Sequence, residues 1–345
     1  MITSFVTALK GAGKPCLKIL HKFLFVVSFA FLFGCEAGLN LTGVEATLNQ
    51  PIRRTDQLLS IEVDSQGVVT VFGAAGLLLT GEYGDQAMQW SRSRLAHGLP
   101  PNFIRSTTCG DGTQVALSFS NEIWIRPPAS SDWSNVAVAT EEQMEDIACR
   151  GENELWVAGA YSSLYSSSDF GESWESFSAD EDATFTSIQF VDESIGYAVG
   201  EFGMVLKTED GGQDWSLLEP IGDDFYPLSV YFANPTDGWV SGVLGIIWHT
   251  RDGGESWERQ RVNSHASIYG FFEAHGQIFA FGDQGAVLRL DNEQWVIQPS
   301  PEVPIHYSDG VEFADGNILL VGGFGLNVLL PVSAPTSTSQ VGGAQ

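Results

Sequence analysis

Residues 196–215 read GYAVGEFGMVLKTEDGGQDW, and this stretch contains both patterns that recur along the chain. The first is a Gly-x-x-Gly turn between two short apolar runs, here formed by Gly200 and Gly203. The second is a turn rich in Asp and Gly that ends at a Trp, here Trp215. Four short apolar-rich runs around this stretch are separated by turn residues, and they predict four β-strands at 186–190, 197–199, 204–208 and 215–218.

Both patterns recur with a period near 41 residues. The turn pattern fills seven slots that begin at Gly73, Ser118, Gly159, Gly200, Gly242, Gly282 and Gly322. The second pattern independently gives Trp90, Trp133, Trp174, Trp215, Trp257 and Trp295. Repeating units of four strands are typical of propeller blades. The sequence therefore predicts an all-β, seven-bladed β-propeller of four-stranded blades, in which the turn glycines adopt positive φ.

Three of the Trp-ending turns match the Asp-box, or BNR repeat, whose pattern is Ser/Thr-x-Asp-x-Gly-x-Thr-Trp. We expect each carboxylate to accept N–H groups of its own turn, each Gly to allow the reversal and each Trp to pack into the core. These acids are accordingly interpreted as folding devices rather than catalysts. The residues are Ser167, Asp169, Gly171 and Trp174, then Thr208, Asp210, Gly212 and Trp215, then Thr250, Asp252, Gly254 and Trp257.

The seventh unit supplies only three strands, because a tail rich in Ser, Thr, Pro and Gly follows Pro331. The segment at about Val44 to Arg53 precedes the first unit and has no partner of its own. We expect it to complete the last blade as its fourth strand and to close the ring. The predicted propeller spans 44–332, between a tether at 35–43 and a disordered tail at 333–345.

The N-terminus resembles a bacterial lipoprotein signal. Four lysines precede an apolar run from Phe23 to Phe33, and Leu-Phe-Gly-Cys at 32–35 closes the segment. The resemblance implies that residues 1–34 are a signal peptide and that Cys35 carries a lipid. It places the chain in the cell envelope facing the periplasm, and Glu36 favours the outer membrane. An uncleaved membrane anchor is the alternative, since about 18 apolar residues can span a bilayer.

The charge balance limits the possible partners. The chain has 16 Lys plus Arg against 43 Asp plus Glu and a formal charge of −27. Residues 1–34 hold four of these cations and none of the acids, so the mature chain keeps 12 cations against 43 acids and a charge of −31. This balance argues against nucleic acid as a partner and favours a basic or apolar protein surface. We expect a monomer.

No catalytic, cofactor or metal signature is predicted. Asp-boxes also mark sialidases, whose chemistry uses a clamp of three Arg on the substrate carboxylate. The sequence spacing does not indicate that the candidate arginines converge in this way; they are Arg105, Arg126, Arg150, Arg251 and Arg289. A carbohydrate-binding or glycoside-hydrolase propeller stays open as the alternative. The histidines show no ligand spacing, and no nucleophile elbow or phosphate loop is present. The histidines outside the signal are His97, His249, His265, His275 and His306.

Cys109 and Cys149 lie nine and ten residues before their units' turn positions. This common slot predicts that both lie at the ends of innermost strands in neighbouring blades. An oxidising periplasm would allow a disulfide there, and two separate buried thiols are the alternative.

The export signal, the seven units and the residues 196–215 and 238–257 together resemble the photosystem II stability/assembly factor family. The resemblance implies a non-enzymatic, membrane-tethered propeller that binds membrane-protein intermediates during assembly of a complex. In photosynthetic members it also implies an Arg-rich binding surface, from which this chain departs with its 12 cations. We therefore expect a membrane or envelope protein complex as the partner. A purely structural envelope protein is a further hypothesis.

Overall fold

The computed structural model describes residues 48–84, 87–96, 98–222, 224–300, 305–313 and 316–331. The chain divides after Gln50, and every described strand lies in the second part, Pro51–Gln345. The predicted signal peptide, the tether with Cys35 and the tail at 333–345 lie outside the described residues. Within the described ranges, no helix is long and apolar enough to cross a membrane.

The fold is a ring of seven antiparallel sheets, which confirms the predicted propeller. The first three blades contain β1 Leu58–Val63, β2 Val68–Gly73, β3 Leu77–Gly84, β4 Ala87–Arg94; β5 Phe103–Thr108, β6 Gln114–Ser118, β7 Glu122–Arg126, β8 Ser134–Ala137; β9 Met144–Arg150, β10 Glu154–Gly159, β11 Ser163–Ser167 and β12 Glu175–Ser178.

The remaining four blades follow the same meander from the innermost strand outward. They contain β13 Phe185–Phe190, β14 Gly196–Gly200, β15 Met204–Thr208, β16 Ser216–Leu217; β17 Pro227–Phe232, β18 Gly238–Gly242, β19 Ile247–Thr250, β20 Glu258–Gln260; β21 Ile268–Ala274, β22 Gln277–Gly282, β23 Val287–Asp291, β24 Gln294–Ile297; β25 Tyr307–Glu312, β26 Asn317–Gly322 and β27 Asn327–Pro331. Five single 3₁₀ turns join second to third strands, at Ala74–Gly76, Glu201–Gly203, Val243–Gly245, Asp283–Gly285 and Gly323–Gly325.

Apolar packing and loop contacts close the ring between the last and the first blade. One buried cluster joins Leu58 and Leu79 of the first blade to Val321 of the last. The Tyr83 ring stacks on Phe313 with centroids 4.9 Å apart. The described residues before β1 form no strand, so the fourth strand predicted for the last blade is unconfirmed, and 44–47 lie outside the described residues.

The segment before β1 instead takes the place that linkers between blades occupy elsewhere. Gly325 N–H donates to the Asp56 carbonyl at 2.7 Å, just as Gly76 donates to Pro101 and Gly285 to Ile305 of the linkers that follow their own blades. The N-terminal segment thus serves as the linker from blade seven to blade one.

The two glycines of each turn have different roles, which corrects the expectation that both adopt positive φ. Gly200 is extended, with φ at −165°. A Cβ there would collide with the backbone carbonyl of Thr184, so this position requires close approach of the linker. Gly203 has φ at +72°, and a Cβ there would collide with the Ile221 carbonyl. Gly is therefore needed at the first position for space and at the second for both space and dihedral angle.

This packing predicts different costs for two Gly→Ala substitutions at similar positive φ. Gly203→Ala adds a backbone collision to the left-handed strain and should reduce the free energy of unfolding by about 2–4 kcal/mol. Gly67→Ala, at φ +81° with no neighbour within 4 Å, is the matched control and should cost only about 1 kcal/mol. Urea unfolding of both variants measures the difference, and equal costs would contradict the role given to the linker contact.

Candidate functional site

The two ends of the ring differ in what they present. Each innermost strand begins beside the turn that joins the second and third strands, as in the pairing of Leu58 with Gly73 and of Phe185 with Gly200. We call this end the turn face. The hairpins between first and second strands and the Asp-boxes lie at the opposite end, which we call the box face.

Every innermost strand carries a β-bulge at its second residue, because its first and third residues pair with consecutive residues of the second strand. A bulge leaves one residue unpaired and re-aims its side chain. The bulged residues are Leu59, Ile104, Glu145, Thr186, Leu228, Tyr269 and Ser308.

All seven bulged residues line one cavity of about 500 Å³ in the ring centre. Arg105, Thr184, Tyr226 and His306 complete its described wall. Each bulge is at the second residue of its innermost strand, next to the turn face. The cavity therefore opens toward the turn face. Its wall combines apolar, aromatic and polar side chains. Among the described lining residues, Glu145 is the one acid and Arg105 is the one Lys or Arg.

In four of the seven blades, the described hydrogen bonds show the residue after the bulge linking its blade to the next. The Asp309 carboxylate accepts the Ile61 N–H at 3.1 Å, and Ser60 Oγ accepts the Ser106 N–H at 3.1 Å. Asp146 Oδ2 accepts the Ile188 N–H at 2.9 Å in the same register. These links fix neighbouring innermost strands against each other and hold the bulges around the cavity. The links were not predicted from the sequence, although a Ser or Asp at the third strand position of five blades was a readable signal.

Three buried carboxyl groups lie on the innermost strands whose bulged residues line the cavity. Burial raises the pKa of Asp146 and of Asp309, and nearby Arg105 opposes the rise in both. The Arg105 Nε lies 3.5 Å from Asp146 Oδ1. Burial raises the pKa of Glu62 to about 7 despite its hydrogen bonds from Thr108 at 2.7 Å and Ser106 at 2.9 Å. Arg105, in the cavity wall, is thus held beside buried carboxyl groups of the innermost strands.

Exposed apolar side chains surround the cavity on the turn face. Tyr161, Phe202 and Leu244 project from the turns of blades three, four and five with 58%, 69% and 66% of their surface exposed. Phe324 occupies the equivalent slot in blade seven, and Phe119 and Tyr226 are exposed at this end as well. These residues went unnoticed in the sequence, because nothing there distinguishes an exposed turn residue from a buried one.

Several of these side chains stand on left-handed backbone. Phe202, Leu244 and Phe324 have φ of 60°, 60° and 55°, each followed by a Gly at positive φ. Two consecutive positive-φ residues form a type I′ turn, where Asn-Gly is the preferred pair. A bulky residue is unfavourable at this position, so packing within the fold does not explain the choice.

The Asp-boxes form hydrogen-bonded turns on the box face. In the first box, Gly171 N–H donates to Ser167 Oγ at 2.7 Å, and Ser173 N–H donates to Asp169 Oδ1 at 2.9 Å. Hydrogen bonds from Ser173 and Ser167 lower the pKa of Asp169 to about 2. The Trp174 Nε1–H donates to the Ala137 carbonyl of the preceding blade at 3.2 Å. In the other two boxes, the Gly212 N–H donates to Thr208 Oγ1 at 2.8 Å and the Gly254 N–H donates to Thr250 Oγ1 at 2.9 Å.

The structure separates the arginines that a sialidase-like clamp would need. Of the five candidates only Arg105 lies in the described cavity wall. Arg150 pairs with Glu154, and Arg251 bonds Glu258 and Glu293. Arg126 donates to Gln114, and Arg289 lies 3.9 Å from Asp291. In the described part of the chain, no group of three or more His, Cys, Asp and Glu is arranged to hold a metal ion.

Fold and site define a seven-bladed BNR-type propeller with a bulge-lined cavity on its turn face. A model of the family described as "Photosynthesis system II assembly factor YCF48" matches residues 125–220 and 173–271. The resemblance to photosystem II stability/assembly factors is thereby confirmed over residues 125–271, and the propeller is similar to those factors.

Similar curated proteins carry the same description. Photosystem II assembly lipoprotein Ycf48 of Nostoc sp. is 28% identical over 110 residues, which cover 30% of this chain and 32% of the relative. Its counterpart in Synechocystis sp. is 30% identical over 96 residues, covering 26% of this chain and 27% of the relative. The matched stretch thus spans less than a third of these relatives' length.

Solved structures share the fold at low sequence identity. YCF48 from Cyanidioschyzon merolae has a TM-score of 0.66 at 13% identity, over 82% of this chain and 97% of that one. YCF48 bound to D1 peptide has a TM-score of 0.65 at 15% identity, over 81% and 93%. A catalytically inactive virginiamycin B lyase from Staphylococcus aureus has a TM-score of 0.67 at 11% identity, over 82% and 99%. Similarity at this level shows the propeller fold alone.

Cys109 and Cys149 are joined as a disulfide in the structure, with their Cα atoms 5.2 Å apart. We propose that this bond forms in the exported protein. It closes a separation of 40 residues, so the double variant Cys109→Ser, Cys149→Ser should lose about 2–4 kcal/mol of unfolding free energy. Reductant should erase that difference from the unsubstituted protein. Titration of thiols in denatured, unreduced protein should find neither cysteine free, and two free thiols from this pair would contradict the proposal.

Proposed function

We propose that this chain is a non-enzymatic, lipid-tethered propeller whose turn face binds a segment of a membrane or envelope protein during assembly of its complex. The observation that carries the proposal is the set of exposed apolar side chains on left-handed turn positions around the cavity.

These side chains oppose the preference of the backbone that holds them. Phe202 has φ 60° and ψ 20°, a region that costs a residue other than Gly, Asn or Asp about 1 kcal/mol. Its ring is mostly exposed, so little burial offsets this cost. Backbone strain of this kind concentrates at functional sites, and clustered exposed apolar residues are typical of protein interaction surfaces.

The cavity has dimensions suited to side chains of a bound segment. About 500 Å³ accommodates a few side chains or a short loop, while the surrounding ring of apolar residues would contact the flanking segment. Tyr226 belongs to both the cavity wall and the exposed apolar set. A segment that enters the cavity would therefore cover the adjoining turns.

The comparisons support a segment as the ligand and assembly as the context. The matched relatives are named photosystem II assembly lipoproteins, and one similar propeller was solved bound to a D1 peptide. By analogy with these relatives, we propose that this chain holds part of a membrane protein. The identity of that protein is left to experiment, because the shared sequence covers less than a third of the relatives.

The tether in this proposal is a lipid on Cys35, at the end of the lipoprotein-like signal, and the propeller faces the periplasm. The relatives' names include the word lipoprotein, which supports this choice over an uncleaved anchor. The Glu36 that follows favours the outer membrane.

The proposal gives the cavity no catalytic role. Its Arg105 is paired with Asp146, and among the described residues no hydrogen bond joins a Ser or Cys side chain to a His. A carbohydrate-binding propeller is the second candidate, because Tyr226 and Tyr269 in the cavity wall offer aromatic surfaces on which sugars stack. Retention of a polysaccharide by the purified chain would favour that candidate.

The test is a triple variant, Tyr161→Asn, Phe202→Asn and Leu244→Asn, cross-linked in cells and recovered from membranes. Asn tolerates left-handed backbone, so we expect the variant to unfold at an equal or higher denaturant concentration than the unsubstituted protein. The proposal predicts that one membrane or envelope protein is recovered with the unsubstituted chain and reduced at least about ten-fold with the variant, as expected for loss of about 1.4 kcal/mol.

The matched control is Leu217→Asn with Val296→Asn, which removes exposed apolar side chains from outermost strands. The control should retain the partner. If the triple variant recovers as much partner as the unsubstituted chain, or if the control loses as much partner as the triple variant, the turn face is not the binding surface.

A further inference from the structure

The linkers leading into blades three, four and five carry acids and no Lys or Arg, whereas the linker that leaves blade five begins with Arg261. The linkers at 138–143, 179–184 and 218–226 run across one sector of the turn face, and the turns at 160–162 and 201–203 stand between them. No Lys or Arg occurs in residues 127–149 or 151–206. In the strand register, Arg150 lies opposite Glu154 and Lys207 lies opposite Tyr197, so both cations are near the box face. The described acids of this sector are Glu141, Glu142, Glu145, Asp180, Glu181, Asp182, Glu201, Glu219 and Asp224.

Within the described chain these acids form no ion pair, and Arg105 in the cavity wall is a cation whose charge acts on one of them, Glu145. None of them lies within 4.0 Å of a Lys, Arg or His nitrogen, whereas acids elsewhere pair with Arg92, Arg150, Lys207 and Arg251. Acids without an ion pair are therefore concentrated in this sector of the turn face. They coincide with the exposed side chains of Tyr161, Phe202 and Leu244.

Acid and aromatic groups converge where this sector meets the cavity. Glu201 Oε2 accepts the Thr184 N–H at 2.9 Å, which fixes the carboxylate at the rim. Burial and the charges of Glu201 and Glu145 raise the pKa of Tyr226, so the three groups share one neighbourhood. Glu145 itself is the bulged residue of β9 and projects from the cavity wall. Carboxylates beside an exposed aromatic ring suit a cationic side chain, through ion pairing and cation–π attraction.

We propose that this sector binds a protein segment that presents Lys or Arg among apolar residues, with one cationic side chain entering the cavity rim between Glu145 and Glu201. The inference rests on the proposed function and specifies the chemistry of its partner. Apolar residues of the segment cover Phe202 and Leu244, and its cations face the unpaired acids of the linkers. An acidic segment, an anionic lipid or a nucleic acid is repelled by the same surface.

The test uses the full purified chain in detergent and three fluorescent peptides of equal length and apolar content. The peptides differ only in carrying several Arg, several Gln or several Glu residues. Fluorescence anisotropy should show tightest binding of the Arg peptide, with an affinity that falls as salt rises. Glu145→Gln and Glu201→Gln should each weaken that binding about five-fold, the effect of one ion pair at the upper end of the surface range.

The matched control is Glu172→Gln, an exposed acid on the box face, which should leave the affinity unchanged. Equal weakening by Glu172→Gln would show attraction to net charge alone and overturn the inference. Equal binding of the Arg, Gln and Glu peptides would overturn it as well. If the peptides show no preference while the triple turn-face variant still loses its membrane partner, the proposed function stands and only the cationic chemistry is wrong.

Discussion

The propeller depends on short polar links between consecutive innermost strands. In four blades a Ser or Asp at the third strand position accepts a backbone N–H of the next blade, and Asp309 makes the link that closes the ring on Ile61. Each link satisfies a backbone donor that a bulged strand would otherwise leave buried and unpaired. Every blade has the bulge and four blades have the link, and the bulges give a cavity lined by the bulged residue of every blade.

The same arrangement explains why charge is distributed unevenly in the centre. Asp146 and Asp309 are carboxylates used where Ser60 and Ser187 serve other blades, so negative charge is buried as part of the framework. Arg105 offsets part of it and is occupied in doing so. These buried carboxylates are thus structural, and the groups that can meet a partner are those in the cavity wall, such as Glu145 and Tyr226.

Much of the fold could be predicted from sequence because glycine and tryptophan mark each blade at fixed spacing. The blade count and the position of the Asp-boxes follow from those residues alone. The positive φ predicted for Gly200 was wrong. This Gly is required because a linker carbonyl approaches it closely, and such a contact cannot be read from a single sequence. The last blade's fourth strand is unconfirmed, and Asp56 instead supplies a linker-type contact at the closure.

The candidate site was less predictable than the fold. A β-bulge shifts the alternation of a strand by one residue, so the side chains that enter the cavity, such as Glu145 and Tyr269, cannot be read from an alternating pattern. Arg105 was named among the arginines considered for a clamp, but its pairing with Asp146 depends on the contact between two blades. Exposure of Phe202 likewise depends on turn geometry. The acidic composition of the chain was evident from the sequence. The concentration of acids in one sector could be seen only once the fold had placed the linkers side by side.

The central claim is that the partner docks on the turn face, and hydrogen–deuterium exchange on the complex recovered by cross-linking in cells tests it most directly. Exchange should slow on binding in the turns at 159–162, 200–203 and 242–245 and around Tyr226. It should stay unchanged in the Asp-box segments 167–174, 208–215 and 250–257. Protection confined to the Asp-box segments would contradict the account.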